Sequence, residues 1–370
     1  MIDRVVISGG GTGGHIYPAI AIADEIKRRN PKAQIHFIGA AGRMEMEKVP
    51  QAGYKIEGLH ISGLQPGFSL SNFLLPFKIF KSLSRAHKLL KRYRPQLVIG
   101  VGGYASGPTL KMANLLGIPT LIQEQNSFPG KTNRLLAKKA ANICIAYDGM
   151  EKYFPKKKLV LTGNPVRKEF DFQGDLHDEA IKYYNLDPSK KTVLVIGGSL
   201  GAKTLNRSLL RGINRLNNAG VQVIWQTGQH YYNTLLEELV TENTEHIHLM
   251  QFINRMELAY AAADVIISRA GAISVSELSI VGKPVILVPS PNVADDHQTK
   301  NANALVEHQA AILVRDEDAR GKLVDTAIEL LKDEKRCKQL GDAILKLAKP
   351  NAVSEIVDVC ESIVKKRKKR

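Results

Sequence analysis

Cysteine is scarce in this chain, and the three present (Cys144, Cys337 and Cys360) have no paired spacing. That argues against a disulfide frame or a zinc site and suits a reducing cytosol. Long apolar runs are missing as well: nothing approaches the roughly 18 residues a membrane span needs. Met1-Ile2-Asp3-Arg4 leads straight into a strand pattern, leaving no room for a signal peptide. Aromatics make up 6% of the 370 residues and apolar residues 44%, a balance suited to an α/β protein of two domains. The sharpest absence is local: no Asp or Glu occurs between Glu57 and Glu124. Over the whole chain 52 Lys and Arg face 36 Asp and Glu, a net charge of +16 that asks for an anionic partner.

What the chain does have is glycine in clusters. A strand pattern at Val5 to Ile7 runs into Ser8-Gly9-Gly10-Gly11-Thr12-Gly13-Gly14-His15, and a helix is expected from near Pro18. Glycines at that density allow a sharp turn and let backbone N–H groups face a ligand. Gly9, Gly11 and Gly14 satisfy the dinucleotide fingerprint, a weak signal by itself. The second strand, Gln34 to Ile38, ends in Gly39-Ala40-Ala41-Gly42 without the acid a ribose would need. A nicotinamide dehydrogenase is therefore disfavoured.

The acid-free stretch carries Phe73-Leu74-Leu75-Pro76-Phe77-Lys78-Ile79-Phe80-Lys81, then Arg85, Lys88, Lys91, Arg92 and Arg94. A helix is predicted from Pro76 to about Arg92. One face (Phe80, Leu83, His87, Leu90) can serve a core, whereas the apolar residues at 73–80 point all round. Phe73, Leu74, Leu75, Phe77, Ile79 and Phe80, rimmed by Lys78, Lys81 and Arg85, suit docking at an anionic membrane surface.

Strand and helix patterns alternate onward. Strands at Leu97 to Val101 and Thr120 to Ile122 end in Gly102-Gly103-Tyr104-Ala105-Ser106-Gly107-Pro108 and Gln123-Glu124-Gln125-Asn126-Ser127. Another is expected at Leu159 to Leu161. Polar residues past strand ends lie where open parallel sheets bind ligands. A polar, weakly patterned stretch, Glu169 to Lys191, carries the chain across. The alternation then restarts with Thr192 to Ile196 and Gly197-Gly198-Ser199-Leu200-Gly201. Further strands are predicted at Val221 to Gln226, Ile247 to Phe252, Asp264 to Ser268 and Pro284 to Pro289. The small residues from Ala270 to Ser276 start a helix able to take phosphate. Final helices are predicted at about Gly321 to Lys349 and from Ala352 onward. The architecture predicted is α/β, two Rossmann-like domains with parallel sheets facing across a cleft, divided into 1–166 and 167–350, with a helix at 351–370 returning to the first.

Taken in order, Gly10 to His15, Gly102-Gly103-Tyr104 with Ser106-Gly107-Pro108, Glu124-Gln125-Asn126, Gly163-Asn164-Pro165-Val166-Arg167, Gly197-Gly198-Ser199 with Gly201-Ala202, and Ser274-Val275-Ser276-Glu277-Leu278 resemble one family. It is the bacterial peptidoglycan N-acetylglucosaminyltransferases of glycosyltransferase family 28, which convert lipid I to lipid II. The resemblance implies a GT-B fold and inverting β(1→4) transfer of GlcNAc from UDP-GlcNAc. The acceptor implied is the muramyl 4-hydroxyl of undecaprenyl-diphospho-MurNAc-pentapeptide. It implies no cofactor, no metal and no nucleic acid, a peripheral place on the cytoplasmic face of the inner membrane, and other wall-synthesis or division proteins as partners. Donor-binding positions carry over onto Thr12, Gly13, Gly14, Asn126, Arg167, Ser199, Ile253, Ala272, Ile273, Ser274, Val275, Ser276, Glu277 and Gln298. Ile253 then frames the uracil and Glu277 accepts from the ribose hydroxyls. Asn126 and Gln298 address the sugar, and Arg167 and Ser199 approach the phosphates. At Gln123, Gly42 and His297 the sequence departs from the family's usual residues, and no role is carried to them. For the general base, His15 is favoured, since a helix N-terminus keeps an imidazole neutral and able to accept a proton. Glu124 is the rival.

Two other readings share parts of this pattern: a non-hydrolysing UDP-GlcNAc epimerase, and a membrane-associated UDP-sugar sensor without catalysis. The first has little use for an acid-free stretch with an apolar knob. The second predicts donor binding without UDP release.

Overall fold

The computed structural model describes residues 1–61, 75–166 and 176–368. They form two compact units, one of Met1–Arg167 with Pro350–Arg370 and one of Lys168–Lys349.

In the first unit the elements run β1 (Arg4–Ser8), α1 (Gly13–Arg29), β2 (Gln34–Ala40), α2 (Glu45–Gln51), β3 (Lys55–Leu59), α3 (Leu75–Tyr93), β4 (Leu97–Gly100), α4 (Ser106–Leu115), β5 (Thr120–Glu124), α5 (Lys131–Leu136), β6 (Asn142–Ile145) and β7 (Leu159–Leu161). In the second they run α6 (His177–Tyr184), β8 (Thr192–Ile196), α7 (Lys203–Asn218), β9 (Gln222–Gln226), α8 (Tyr232–Glu238), β10 (Ile247–Met250), α9 (Met256–Ala262), β11 (Val265–Ser268), α10 (Ala272–Val281), β12 (Val285–Leu287), α11 (His297–Glu307), β13 (Ile312–Leu313), α12 (Asp316–Lys332) and α13 (Glu334–Leu345). The last helix, α14 (Ala352–Lys368), belongs to the first unit.

Each unit has one parallel sheet, ordered β3-β2-β1-β4-β5-β6-β7 and β10-β9-β8-β11-β12-β13. Parallel strands buried on both faces read as unbroken apolar runs, as Val5-Val6-Ile7 and Val193-Leu194-Val195 do. Strand order reverses between β1 and β4 in one sheet and between β8 and β11 in the other. Such reversals open crevices at the strands' carboxyl ends; β1, β4 and β8 feed glycine-rich segments there, and β11 feeds the small residues Ala270-Gly271-Ala272.

One face of the first sheet packs α1 and α14 through Ile16, Ile22, Ile26, Ile356, Val357 and Ile363. Arg29 clamps the two helices: its guanidinium pairs with Asp358 and donates to Ser354 O at 2.9 Å and Ser354 Oγ at 2.7 Å. The same arginine and Arg28 hold the buried Glu25, whose carboxyl Arg28 above all brings down to about 2. The other face packs α3, α4 and α5. In the second unit Trp225 sits in the core and donates from Nε1 to Asn206 Oδ1 at 3.0 Å.

Four expectations are corrected. Helix α1 starts at Gly13, five residues before the expected start, and carries Pro18 inside it. The inward face of α3 is Ser82, Ala86, Leu89 and Leu90, while Phe80 is 74% exposed. The segment read as a polar crossing holds α6, anchored by buried Ala180 and Tyr184. The helix expected at 321–349 is two helices that begin at Asp316 and break at Asp333, whose carboxylate accepts from Arg336 N and caps the second.

Candidate functional site

At the first reversal two loops lie directly on one another. A Cβ added at Gly9 would sit 2.1 Å from Val101 Cγ2, and one at Gly103 would sit 2.3 Å from Gly10 O. Side chains here would push the loops apart, which explains glycine at both places. His15, in the first turn of α1, lies against Gly102: a Cβ there would be 2.7 Å from His15 Cδ2 and Nε2. Its Nδ1 is 3.2 Å from Thr12 Oγ1. Thr12 is the N-cap of α1, with extended backbone and a carbonyl that accepts from His15 N and Ile16 N. Thr12 and Gly14 are exposed, and Gly13 is half-buried.

The sequence reading missed Glu45. This carboxylate, 1% exposed, accepts from Gly11 N at 2.8 Å and Ala40 N at 2.9 Å. It fills the space beside Gly10 and Gly39, where an added Cβ would meet its atoms at 2.2 and 2.6 Å. The acid sought at the end of β2 therefore exists a few residues later, turned inward onto the glycine loop. Its charge occupies the Gly11 amide that a pyrophosphate would need, a second reason against a dinucleotide. The sequence signal was only the acid's place within the first turn of α2.

At the end of β5, Glu124 is buried and accepts from four donors: Asn126 N at 3.1 Å, Asn126 Nδ2 at 3.4 Å, Gly130 N at 3.2 Å and Asn133 Nδ2 at 2.8 Å. Burial pushes its carboxyl up, and the bonds led by Asn133 oppose that. Both oxygens are committed to holding Asn126 and the 126–130 turn. Gln123 is buried and donates to Asn164 Oδ1 at 3.0 Å, while Asn164 Nδ2 returns a bond to Gln125 O. Ser106 Oγ donates to Ser8 O at 3.1 Å, tying the start of α4 to the end of β1. Arg167 lies outside the described residues.

At the second reversal the loop after β8 turns through Gly198 (φ +82°) and Gly201 (φ +89°). Gly201 presses on Thr227 O, 2.1 Å from where a Cβ would be, whereas nothing lies within 4 Å of that point at Gly198. Ser199 is exposed on this loop. After β11, Gly271 caps α10, so Ala272, Ile273, Ser274, Val275 and Ser276 form its opening turns, and Glu277 follows. Ala272 and Val275 face inward. Ser276 Oγ donates to Ala272 O at 3.0 Å. Glu277 is close enough to Tyr260 to add to burial in raising that hydroxyl.

Gln298 stands in the first turn of α11, its Oε1 accepting from Ser290 N at 2.8 Å. The amide Nε2 is what it can offer a sugar. Asp295 and Asp296 precede it at φ +53° and +49°, a left-handed pair that the sequence did not announce. Ile253 is 1% exposed and its N–H donates to Gln226 Oε1 at 3.1 Å, so its side chain is interior.

On α3, Phe77 is 76% exposed, Ile79 39%, and Lys81 and Arg85 are exposed. Lys78 is half-buried. Glu57 pairs with Arg85 at 3.1 Å and Arg92 at 3.6 Å. Leu75 opens the helix, and Phe73 and Leu74 lie outside the described residues.

Comparison with known proteins places this geometry. The glycosyltransferase family 28 N-terminal domain matches residues 5–145 and the family 28 C-terminal domain residues 192–356. A protein of Christiangramia forsetii named UDP-N-acetylglucosamine--N-acetylmuramyl-(pentapeptide) pyrophosphoryl-undecaprenol N-acetylglucosamine transferase is 54% identical over 361 residues, 98% of each chain. One of the same name from Parabacteroides distasonis is 51% identical, covering 98% of this chain and 99% of its own. The crystal structure of Acinetobacter baumannii MurG superposes with a TM-score of 0.80 at 28% identity, over 97% of this chain and 99% of that one. A UDP-GlcNAc 2-epimerase from Neisseria meningitidis reaches a TM-score of 0.65 at 14% identity, covering 97% of this chain and all of its own, which shows a shared fold and no more.

Proposed function

This chain belongs to glycosyltransferase family 28, and from that membership we infer that it transfers GlcNAc from UDP-GlcNAc to the muramyl 4-hydroxyl of lipid I, giving lipid II and UDP. It is a hexosyltransferase of peptidoglycan synthesis with the GT-B fold. At the site, the observation that carries this reading is the unlike filling of the two reversals. The first is filled beside Gly10 by the Glu45 carboxylate and bears a histidine, while the second is pressed on the 227–229 turn at Gly201 and leads on to the exposed Ser199 beside an open Gly198.

We assign the reaction as one displacement. The acceptor oxygen attacks the anomeric carbon of GlcNAc, the bond from that carbon to the diphosphate oxygen breaks, and UDP leaves with the electron pair. His15 takes the hydroxyl proton. In the tautomer whose Nδ1–H donates to Thr12 Oγ1, Nε2 carries the basic lone pair. Glu124, with four donors on its oxygens, acts by positioning Asn126 toward the sugar. Thr12, Gly13 and Gly14 supply the helix start beside it. In the second unit the opening turns of α10, with Ser199, meet the charge developing on UDP. Glu277 takes the ribose hydroxyls, Gln298 offers its amide to the sugar, and Ile253 backs the base site from inside. Arg167 is kept as a phosphate contact on the resemblance.

Among the described residues no helix is long and apolar enough to cross a membrane. Attachment is assigned to Phe77, Ile79 and Phe80 with Lys81, on an anionic inner-membrane surface where lipid I would be met. The deciding experiment supplies labelled UDP-GlcNAc and a short-chain lipid I analogue. A β-linked disaccharide and UDP are expected, whereas UDP-ManNAc from donor alone would convert the reading to an epimerase. Phe77→Ser with Phe80→Ser should lower partitioning to anionic vesicles without lowering the melting temperature.

A further inference from the structure

We infer that the first sheet has a second bilayer contact at the amino ends of its strands, far from the glycine loops. Arg4 at the start of β1, Lys91 and Arg94 at the end of α3, and Arg367 near the end of α14 line a recess of about 670 Å³ there. Leu116 and Val364 belong to its apolar wall, and among the described residues no acidic side chain lines it. The two helices reach this rim from opposite faces of the sheet, α14 over one core cluster and α3 over the other. Arg367 Nη1 donates to Gln96 O at 3.4 Å, seating the end of α14 on the turn before β4. Exposed Lys365 and Lys366 adjoin it, and the sequence continues Lys368-Lys369-Arg370. Transfer at the strands' carboxyl ends has no use for this cluster.

The occupant is a bilayer rich in anionic phospholipid. Cations around an apolar wall fit an amphiphile with a negative head, and the cations are too many for one phosphate. The geometry of α3 supplies the rest. Phe77, Ser84, Lys88 and Lys91 are all exposed and recur at intervals of seven, four and three, so they share one outward face. That face runs from the apolar knob to the recess, about 21 Å at 1.5 Å per residue. A surface lying along α3 meets Phe77 at one end and the rim cations at the other. The choice of occupant rests on the docking assigned to Phe77 and Phe80, whereas the recess and its charge do not.

The test measures partitioning of the full chain onto vesicles of phosphatidylglycerol and phosphatidylethanolamine, with phosphatidylcholine as the neutral control. One variant carries Arg4→Gln, Lys91→Gln, Arg94→Gln and Arg367→Gln. A charge-matched control in the second unit carries Lys332→Gln, Lys335→Gln, Lys338→Gln and Lys346→Gln, all exposed positions. The rim variant is expected to bind anionic vesicles at least about 10-fold more weakly and the control within about 3-fold of the parent, since charges act within a Debye length of the surface. A version with Arg4→Lys, Arg94→Lys and Arg367→Lys should keep binding, which separates charge from folding damage. Equal losses in both glutamine variants, or none in the rim variant, overturn the inference. So does polyglutamate held by the rim under conditions where vesicles are not. If Phe77→Ser with Phe80→Ser stays bound while the rim variant is released, the knob reading fails and this one stands.

Discussion

Two glycine loops in equivalent places of two similar sheets are filled differently at their tight turns. The loop after β1 is packed at its base, with Glu45 on the Gly11 amide, Gly103 against Gly10 and His15 over Gly102, while nothing lies within 4 Å of a Cβ added at Gly11. The loop after β8 is pressed against the 227–229 turn through Leu200 and Gly201, with Ser199 O accepting from Gln229 N at 3.0 Å, and has open space beside Gly198. Near-identical sequence texture, strand then glycines then helix, thus holds an inward carboxylate against Gly10 and Gly11 in one unit and a tight fit on the 227–229 turn in the other. A buried carboxylate makes the difference, because it supplies internally the negative charge that such amides attract.

The largest effect is expected for His15→Ala, which should lower kcat by about 10²–10⁴ and leave the KM for UDP-GlcNAc near its parent value. Steady-state kinetics with the lipid I analogue decide it, and unchanged kcat would return the proton to Glu124. Next come matched glycine changes. Gly10→Ala must displace the Glu45 carboxylate and adopt a φ of +144°, so about 2–4 kcal/mol should be lost in denaturant melts. Gly198→Ala meets only the left-handed backbone penalty, about 1 kcal/mol. Equal costs would erase the contrast. Glu45→Gln sets an amide N–H against a backbone donor, at about 1–3 kcal/mol, and kcat should fall with it while donor KM holds.

The smallest effect concerns acid. Arg28 first, then Arg29, hold the Glu25 carboxyl at about 2 against the opposing pull of burial. A lowered carboxylate stabilises the fold above its unfolded value, near 4.5, and that stability drains as pH falls toward 2. With Arg28 largely in solvent the loss should be about 1 kcal/mol. Glu25→Gln should flatten stability across this window in acid titrations followed by circular dichroism.

Strands were the legible part, because parallel strands covered on both faces need continuous apolar runs and little else resembles them. The edge strand β3, Lys-Ile-Glu-Gly-Leu, escaped notice because a strand with only one neighbour tolerates charge. The start of α1 was hidden by Gly13 and Gly14, which argue against a helix until packing overrides propensity. The amphipathic face of α3 was misjudged at Phe80 because an aromatic at helical spacing reads as core. Motif resemblance names individual site positions as expectations and is silent on the partners of each. Glu45 reaches Gly11 across 34 residues, and nothing local in either segment announces the bond. The four donors on Glu124 were equally invisible, and they change how that carboxylate is understood.

The return of α14 to the first unit has a consequence for how the chain is made. Ile16, Ile22 and Ile26 on α1 emerge from the ribosome early, but their covering residues Ile356, Val357 and Ile363 follow only after residues 168–349. At roughly 5–20 residues per second that interval is on the order of 10–40 s. For that time the apolar flank of α1 lacks the helix that covers it in the finished chain. Translation halted anywhere between the units would leave a fragment with no means of closing it.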